Sequence, residues 1–263
     1  MSFPASPLPQ SVIVTRLRAA GCVFAEDEAR LLLTTAPSPD VLAAMVDQRI
    51  SGRPLEHVLG WAEFHGLRIS VDPGVFVPRR RTEFLVRQAA VRALPGAVVV
   101  DLCCGSGAVG VALAASLVRV GLYAVDIDPA AVRCARRNVA AHAGQVLEGD
   151  LYQPLPAELR GNVDILVASA PYVPTEAIGL LPPEARIHEP RVALDGGADG
   201  LEVVRRLVAG AKSWLAPNGH LLVETSDRQA TAAVEALARA GLTPQVASSD
   251  EMNSTVVIGT GSG

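Results

Sequence analysis

At 263 residues, with 49% hydrophobic and 19% charged residues, the chain can bury a full core and is not of disordered composition. Its net charge of −4 argues against binding extended nucleic acid along a basic face, and Arg79-Arg80-Arg81 is its one dense basic run. No stretch of about 18 apolar residues is available to span a membrane, and Met1 to Pro7 lacks the charged-then-apolar layout of a signal peptide.

In chain order, residues 1–10 read as a Pro/Ser-rich tail. Three helical segments follow, from Ser11 to Ala20, Glu26 to Thr34 and Asp40 to Ile50. The first sets Val12, Leu17 and Ala20 on one side, and the second carries Leu31, Leu32 and Leu33. Ser38 or Asp40 caps the third, and Gly52 ends it. Residues 1–54 are therefore expected to form a small helical domain. Residues 55–81 change character. Glu63 to Val71 alternates around Gly66, which predicts a β-hairpin, and Val75 to Pro78 reads as extended. A helix over 82–93 follows, with Thr82 as N-cap.

Residues 82–263 read as an α/β domain. Strands are expected near 97–102, 121–126, 144–148, 163–169, 219–225, 243–248 and 254–259, and helices at 107–116, 129–141, 199–214 and 227–240. No crossover helix fits between the last two strands, so they pair antiparallel. The expected fold is a Rossmann-like, class I methyltransferase layout: a seven-stranded, mostly parallel sheet with an antiparallel last strand. Residues 173–198, proline-rich and without a clear period, read as a substrate-facing loop.

Ligands of such sheets bind where strands end and strand order reverses. Gly105-Ser106-Gly107 lies between a strand and a helix, where glycines let the backbone approach a ligand. Gly110 completes G-x-G-x-x-G, which keeps an NAD(P)-dependent oxidoreductase open. Asp126, with Ile127 beside it, ends the second strand and can accept bonds from ribose hydroxyls. Asp128 caps the next helix. Asp150 beside Leu151 suits an adenine, with an acceptor for its amino group and apolar cover for its face. Asp101 can face a cationic amino group or anchor the glycine loop. Three acids around a glycine loop favour S-adenosylmethionine over a pyrophosphate. The four cysteines, Cys22, Cys103, Cys104 and Cys134, lack metal-ligand spacing, so no metal is expected. Their pattern fits a reduced, cytoplasmic compartment, and Cys103-Cys104 reads as packing within the loop.

The fourth strand ends in Ser169-Ala170-Pro171-Tyr172. With Gly52 to Gly60, Phe64 to Leu67, Pro73 to Arg79, Ala124 to Asp128 and Ile187 to Gly200, this makes residues 45–260 resemble the protein-(glutamine-N5) methyltransferases of the HemK/PrmC type, which modify peptide-chain release factors. The resemblance implies that Phe76, Pro78, Asp101, Cys103, Gly105, Ser106, Gly107, Asp126, Ile127, Asp150, Leu151 and Ser169 contact S-adenosylmethionine, which leaves as S-adenosylhomocysteine. It also implies a catalytic role for Ser169, Ala170, Pro171 and Tyr172. That family carries Asn-Pro-Pro-Tyr here, whose Asn side chain and next carbonyl accept the target amide's N–H bonds. Ser169 offers a shorter acceptor, so a weaker enzyme or a shifted substrate is expected. The alternatives are N-methylation of an exocyclic nucleobase amine and a non-catalytic paralogue. Arg79 to Arg81 stand either as partner contacts or as a solvated charge run. His188, Glu189 and Glu224 read as structural.

Overall fold

The computed structural model of the chain describes residues 8–263, so the first seven residues of the expected tail lie outside the described residues. Helices α1 (Gln10–Ala19), α2 (Ala25–Thr35) and α3 (Pro39–Ile50) pack around Ile13, Leu17, Ala29, Leu32, Leu42 and Val46. The inward face of α1 is Ile13 with Leu17, an i,i+4 pair, and Val12 is 41% exposed. Of the expected inward residues, Leu17 is buried as expected, while Val12 and Ala20 are exposed and Ile13 takes the inward place beside Leu17. Within Leu31-Leu32-Leu33 only Leu32 is fully buried. Ser38 caps α3 by accepting from Val41 N at 3.3 Å, with Pro39 at the first helical position. Arg49 of α3 is buried and donates to both oxygens of Glu28, at 2.6 and 3.1 Å. Its Nη1 also reaches Glu184, 135 residues further on, so this helical cluster is fastened to the loop above the sheet.

The connector opens with a short helix the sequence reading missed, α4 (Leu55–Leu59), between Pro54 and a left-handed Gly60. Five residues are too few to show a helical period. The expected hairpin forms as β1 (Trp61–Phe64) and β2 (Leu67–Ser70), with Phe64 opposite Leu67. His65 and Gly66 both have positive φ, 52° and 73°, the tight turn that suits the strands' twist. Thr82 does not cap the next helix. It lies in helical backbone inside a 3-10 turn, Arg80–Thr82, with no capping bond, and α5 (Glu83–Ala90) starts after it.

The main sheet contains β3 (Val98–Leu102), β4 (Gly121–Asp126), β5 (Gln145–Glu148), β6 (Val163–Ala168), β7 (Leu215–Thr225), β8 (Thr243–Ser249) and β9 (Ser254–Thr260). Their order is β5-β4-β3-β6-β7-β9-β8. The first five are mutually parallel, and β9 runs antiparallel to both β7 and β8. The chain builds outward from β3 to β5, then returns to lay β6 on the other side of β3. That reversal opens a crevice above the ends of β3 and β6. Helices α9 (Glu202–Ala211) and α10 (Asp227–Arg239) cover one face through Val204, Leu207 and Leu237. Helices α5 and α6 (Ala108–Ser116) cover the other through Leu85, Ala112 and Leu113, and α7 (Pro129–Val139) joins them through Val139. The loop at 173–198 is more ordered than its composition suggests. It carries a 3-10 segment, Thr175–Leu180, and a short helix, α8 (Pro183–His188). No helix among the described residues is long and apolar enough to cross a membrane.

Candidate active site

The end of β3 enters a loop in which Cys103, Gly105 and Gly107 all have positive φ, 57°, 55° and 78°. This curls successive backbone N–H groups around the end of β4. Asp126 accepts from Gly105 N at 2.8 Å through Oδ2 and from Asp128 N at 2.9 Å through Oδ1. Asp128 caps α7 by accepting from Ala130 N at 2.8 Å. Asp101 is 1% exposed and accepts from Gly110 N at 2.9 Å through Oδ2, so it anchors the start of α6 as well as facing the crevice. Burial pushes its carboxyl up to about 7, against the Gly110 bond and with a smaller push from Asp126. Burial also raises Asp126. Buried Asp101 and half-buried Asp126, both raised by loss of hydration, would each be stabilised in the charged form by a cationic group placed against them.

A cavity of about 160 Å³ lies over these strand ends. Phe76, Pro78, Asp101, Cys103, Gly105, Ser106, Asp126, Ile127, Asp150, Leu151, Ser169 and Pro171 all line it. Gly107 does not. It turns the loop into α6, and a Cβ there would meet Ala135 Cβ and Val139 Cγ2 at 3.3 Å, so this glycine, expected among the cofactor contacts, serves helix packing and lies outside the cavity lining. Asp150 is paired with Arg206 of α9, a cavity residue the sequence reading missed. Burial drives the Cys103 and Cys104 thiols upward, which keeps them protonated and inert. No cluster of His, Cys, Asp and Glu among the described residues is arranged to hold a metal.

One wall of the cavity comes from the connector. Arg79 stacks over Phe76 at 4.8 Å and pairs with both oxygens of Glu189. Glu189 is 6% exposed and accepts from Val77 N at 3.1 Å as well. Arg79 is therefore a strut between the connector and the 173–198 loop, not part of a solvated run.

A second cavity, of about 320 Å³, adjoins the first, and Ser169, Phe76, Arg79 and Ala193 line both. Ala170, Tyr172, Arg81 and residues of α8 close it. The predicted quartet is thus split: Ser169 and Pro171 face the first chamber, and Ser169, Ala170 and Tyr172 the second. Behind them sits Glu224 at the end of β7, 2% exposed. Arg81 donates to it at 3.1 Å and to the Tyr172 hydroxyl, and Ser169 Oγ lies 3.4 Å from its Oε2. Gln229 donates to the Tyr172 carbonyl at 2.9 Å. Neither Glu224 nor Gln229 was singled out for the site. The signal for Glu224 was a carboxylate ending an apolar strand, Leu221-Leu222-Val223.

Comparison with known proteins identifies the family and the fold. A family model, the methyltransferase small domain, matches residues 66–179. A release factor glutamine methyltransferase of Mycolicibacterium smegmatis is 42% identical over 220 residues, 82% of this chain and 78% of that protein. A 4-amino-L-phenylalanine/4-methylamino-L-phenylalanine methyltransferase of Streptomyces pristinaespiralis is 37% identical over 236 residues, 86% of this chain and 79% of that protein. Among solved structures, a methyltransferase from Pyrococcus furiosus shares the fold, with a TM-score of 0.57 at 17% identity over 75% of this chain and 90% of that one.

Proposed function

Since the chain belongs to the release factor glutamine methyltransferase family, we propose that it moves a methyl group from S-adenosylmethionine to the side-chain N5 of a glutamine in a peptide-chain release factor. The observation that carries this is the meeting of two chambers at Ser169, one acidic at its floor and one suited to an acceptor. The dehydrogenase reading gives way to family membership.

The donor set fits the cofactor. Asp126 holds two backbone N–H groups and keeps lone pairs for ribose hydroxyls. Asp101 spends one oxygen on Gly110 and faces the ammonium with the other. Asp150 and Leu151 take the adenine, and Arg206 closes that end. When bound, the cofactor supplies an electrophilic methyl group on a cationic sulfur. The protein's task is then to aim a poor nucleophile, since an amide nitrogen shares its lone pair with its carbonyl. Ser169 Oγ and the Ala170 carbonyl accept the two N–H bonds and hold the nitrogen in line, and such placement supplies much of a two-substrate rate gain. Residues 1–54 recognise the protein, the 55–81 connector walls both chambers, and 82–263 carry the chemistry. A cytoplasmic location, with all four cysteines unpaired, suits that substrate.

A second acceptor class is favoured by one observation: Ser169 stands where the resembled family has Asn, which leaves room beside the acceptor. An aromatic primary amine presents the same two N–H donors. The test supplies labelled S-adenosylmethionine with release factors and, separately, with 4-amino-L-phenylalanine, then locates the methyl by mass spectrometry. Label on a release-factor glutamine is the expected result. Label only on the arylamine would replace the substrate, and label on neither would overturn the reading.

The raised Asp101 pKa, about 7 against an ordinary 3.8, sets a pH dependence. A carboxylate raised by burial contributes stability at low pH and loses it as pH climbs through its folded value. A bound ammonium favours the ionised form, so below about pH 7 binding releases a proton. Cofactor affinity is therefore expected to rise from about pH 6 to about pH 8, by at most about tenfold per unit below the pKa, and then level off. Calorimetry across that range checks it, and Asp101→Asn should flatten the profile.

A further inference from the structure

Building on the methyl-transfer reading above, we propose that Glu224 is a positioning residue that fixes the Ser169 hydroxyl as a hydrogen-bond acceptor and so restricts this site to acceptors that present an N–H bond. A serine hydroxyl is ambiguous, since its one proton can point at the substrate or away from it. With the proton directed at the substrate, Ser169 would compete for the nitrogen lone pair that must attack the methyl group. Glu224 gives that proton a destination away from the substrate. Glu224 is 2% exposed, lines neither cavity and lies behind Ser169, with its Oε2 3.4 Å from the hydroxyl. An ionised carboxylate accepts only. The serine proton therefore points backward, and both lone pairs of Oγ are left for the acceptor chamber.

The other oxygen of Glu224 is held by Arg81 Nε at 3.1 Å, and the same guanidinium donates to the Tyr172 hydroxyl. One carboxylate thus anchors both ends of Ser169-Ala170-Pro171-Tyr172, the first residue directly and the last through Arg81. The Arg81 guanidinium also lies 5.5 Å from the Tyr172 ring centre. A floor of accepting oxygens suits a carboxamide or an aromatic amine. It does not suit a carboxylate, which would bring more lone pairs and no proton.

The experiment compares wild type, Glu224→Gln, Ser169→Ala and the double variant, with a release factor as acceptor and cofactor affinity measured alongside. Glutamine at 224 can donate its amide N–H to Oγ and turn the serine proton toward the substrate. Glu224→Gln is expected to lower kcat by about ten- to thirtyfold. The KM for the release factor and the affinity for S-adenosylmethionine should stay within about threefold, since the first chamber does not include Glu224. In the Ser169→Ala background the same change should add less than about twofold, because the hydroxyl it acts through is gone. Glu224→Asp keeps the charge opposite Arg81 and withdraws the carboxylate from Ser169. It is the variant to use if Glu224→Gln does not fold, and it should show the same kcat loss. Equal losses with and without the Ser169 hydroxyl, or unchanged kcat in Glu224→Gln, would overturn the proposal. A wild type that binds cofactor but methylates no release factor would instead overturn the function reading beneath it, and the proposal with it.

Discussion

Replacing Asp126 with alanine is expected to weaken S-adenosylmethionine binding by about hundredfold or more, the largest single loss available in the first chamber. The carboxylate does two things at once. It holds the loop, by accepting from Gly105 N at 2.8 Å and Asp128 N at 2.9 Å, and it faces the cavity with its remaining lone pairs. Hydrogen bonds to a charged group are each worth about 1.5–3 kcal/mol. Two lost loop bonds, or one of them with a lost ribose bond, reach the roughly 2.7 kcal/mol that separates affinities a hundredfold apart. The loop also loses a template, because Asp126 pins the N–H of Gly105, a left-handed residue close to left-handed Cys103. Asp126→Asn separates the two roles. One of its two positions must now offer an amide donor to a backbone N–H, so it should fall between alanine and wild type. Calorimetry with cofactor alone gives the readout, with no acceptor required. An Asp126→Ala protein that binds within about threefold of wild type would show that the cofactor lies elsewhere.

The acids that make up this chamber were legible because each follows a run of strand residues. Val98-Val99-Val100 ends in Asp101 and Leu122 to Val125 ends in Asp126, so one-dimensional order becomes adjacency in a parallel sheet. The glycine loop was legible for the same reason, except at Gly107, whose neighbours Ala135 and Val139 come from a different helix. What stayed hidden is what tertiary approach creates. Arg81 and Glu224 are 143 residues apart, and Arg79 and Glu189 are 110. Nothing in Arg79-Arg80-Arg81 says that two of its members turn back to buried carboxylates. Helices α4 and α8 stayed hidden because five or six residues, each opened by a proline, show no period. On α1 Leu17 was legible but Val12 was read inward in place of Ile13, because Val12, Ile13 and Val14 are all apolar and only packing chooses among them.

The stretch Gly196-Gly197-Ala198-Asp199-Gly200 carries the second large effect, and Gly200→Ala is expected to cost at least about tenfold in kcat while cofactor affinity holds. Gly200 has φ +75°, and a Cβ built there falls 2.3 Å from the Tyr172 carbonyl oxygen and 2.3 Å from Gln229 Nε2. A left-handed alanine alone costs about 1–2 kcal/mol. The greater problem is the neighbour, since a backbone oxygen cannot swing away as a side chain tip can. Gln229 Nε2 already bonds that carbonyl at 2.9 Å, so both must move together. On the other side, Gly196 N donates to Val173 O at 2.9 Å and Val173 N donates to Leu194 O at 3.0 Å. The segment that follows Pro171 is therefore clamped between these bonds and Gly200, and a methyl group at 200 transmits its displacement to Tyr172 and to Ser169 beyond it. Misplacing reacting atoms by about 1 Å can cost about a hundredfold, so tenfold is the floor. Gly200 does not line the first cavity, which is why binding should survive. Ala198, exposed in the same turn, supplies the control, and Ala198→Ser should keep wild-type turnover. A Gly200→Ala protein with wild-type kcat would mean that the Tyr172 carbonyl is free to shift without disturbing the acceptor, and the strand end would then not be the rigid platform that an amide nucleophile requires.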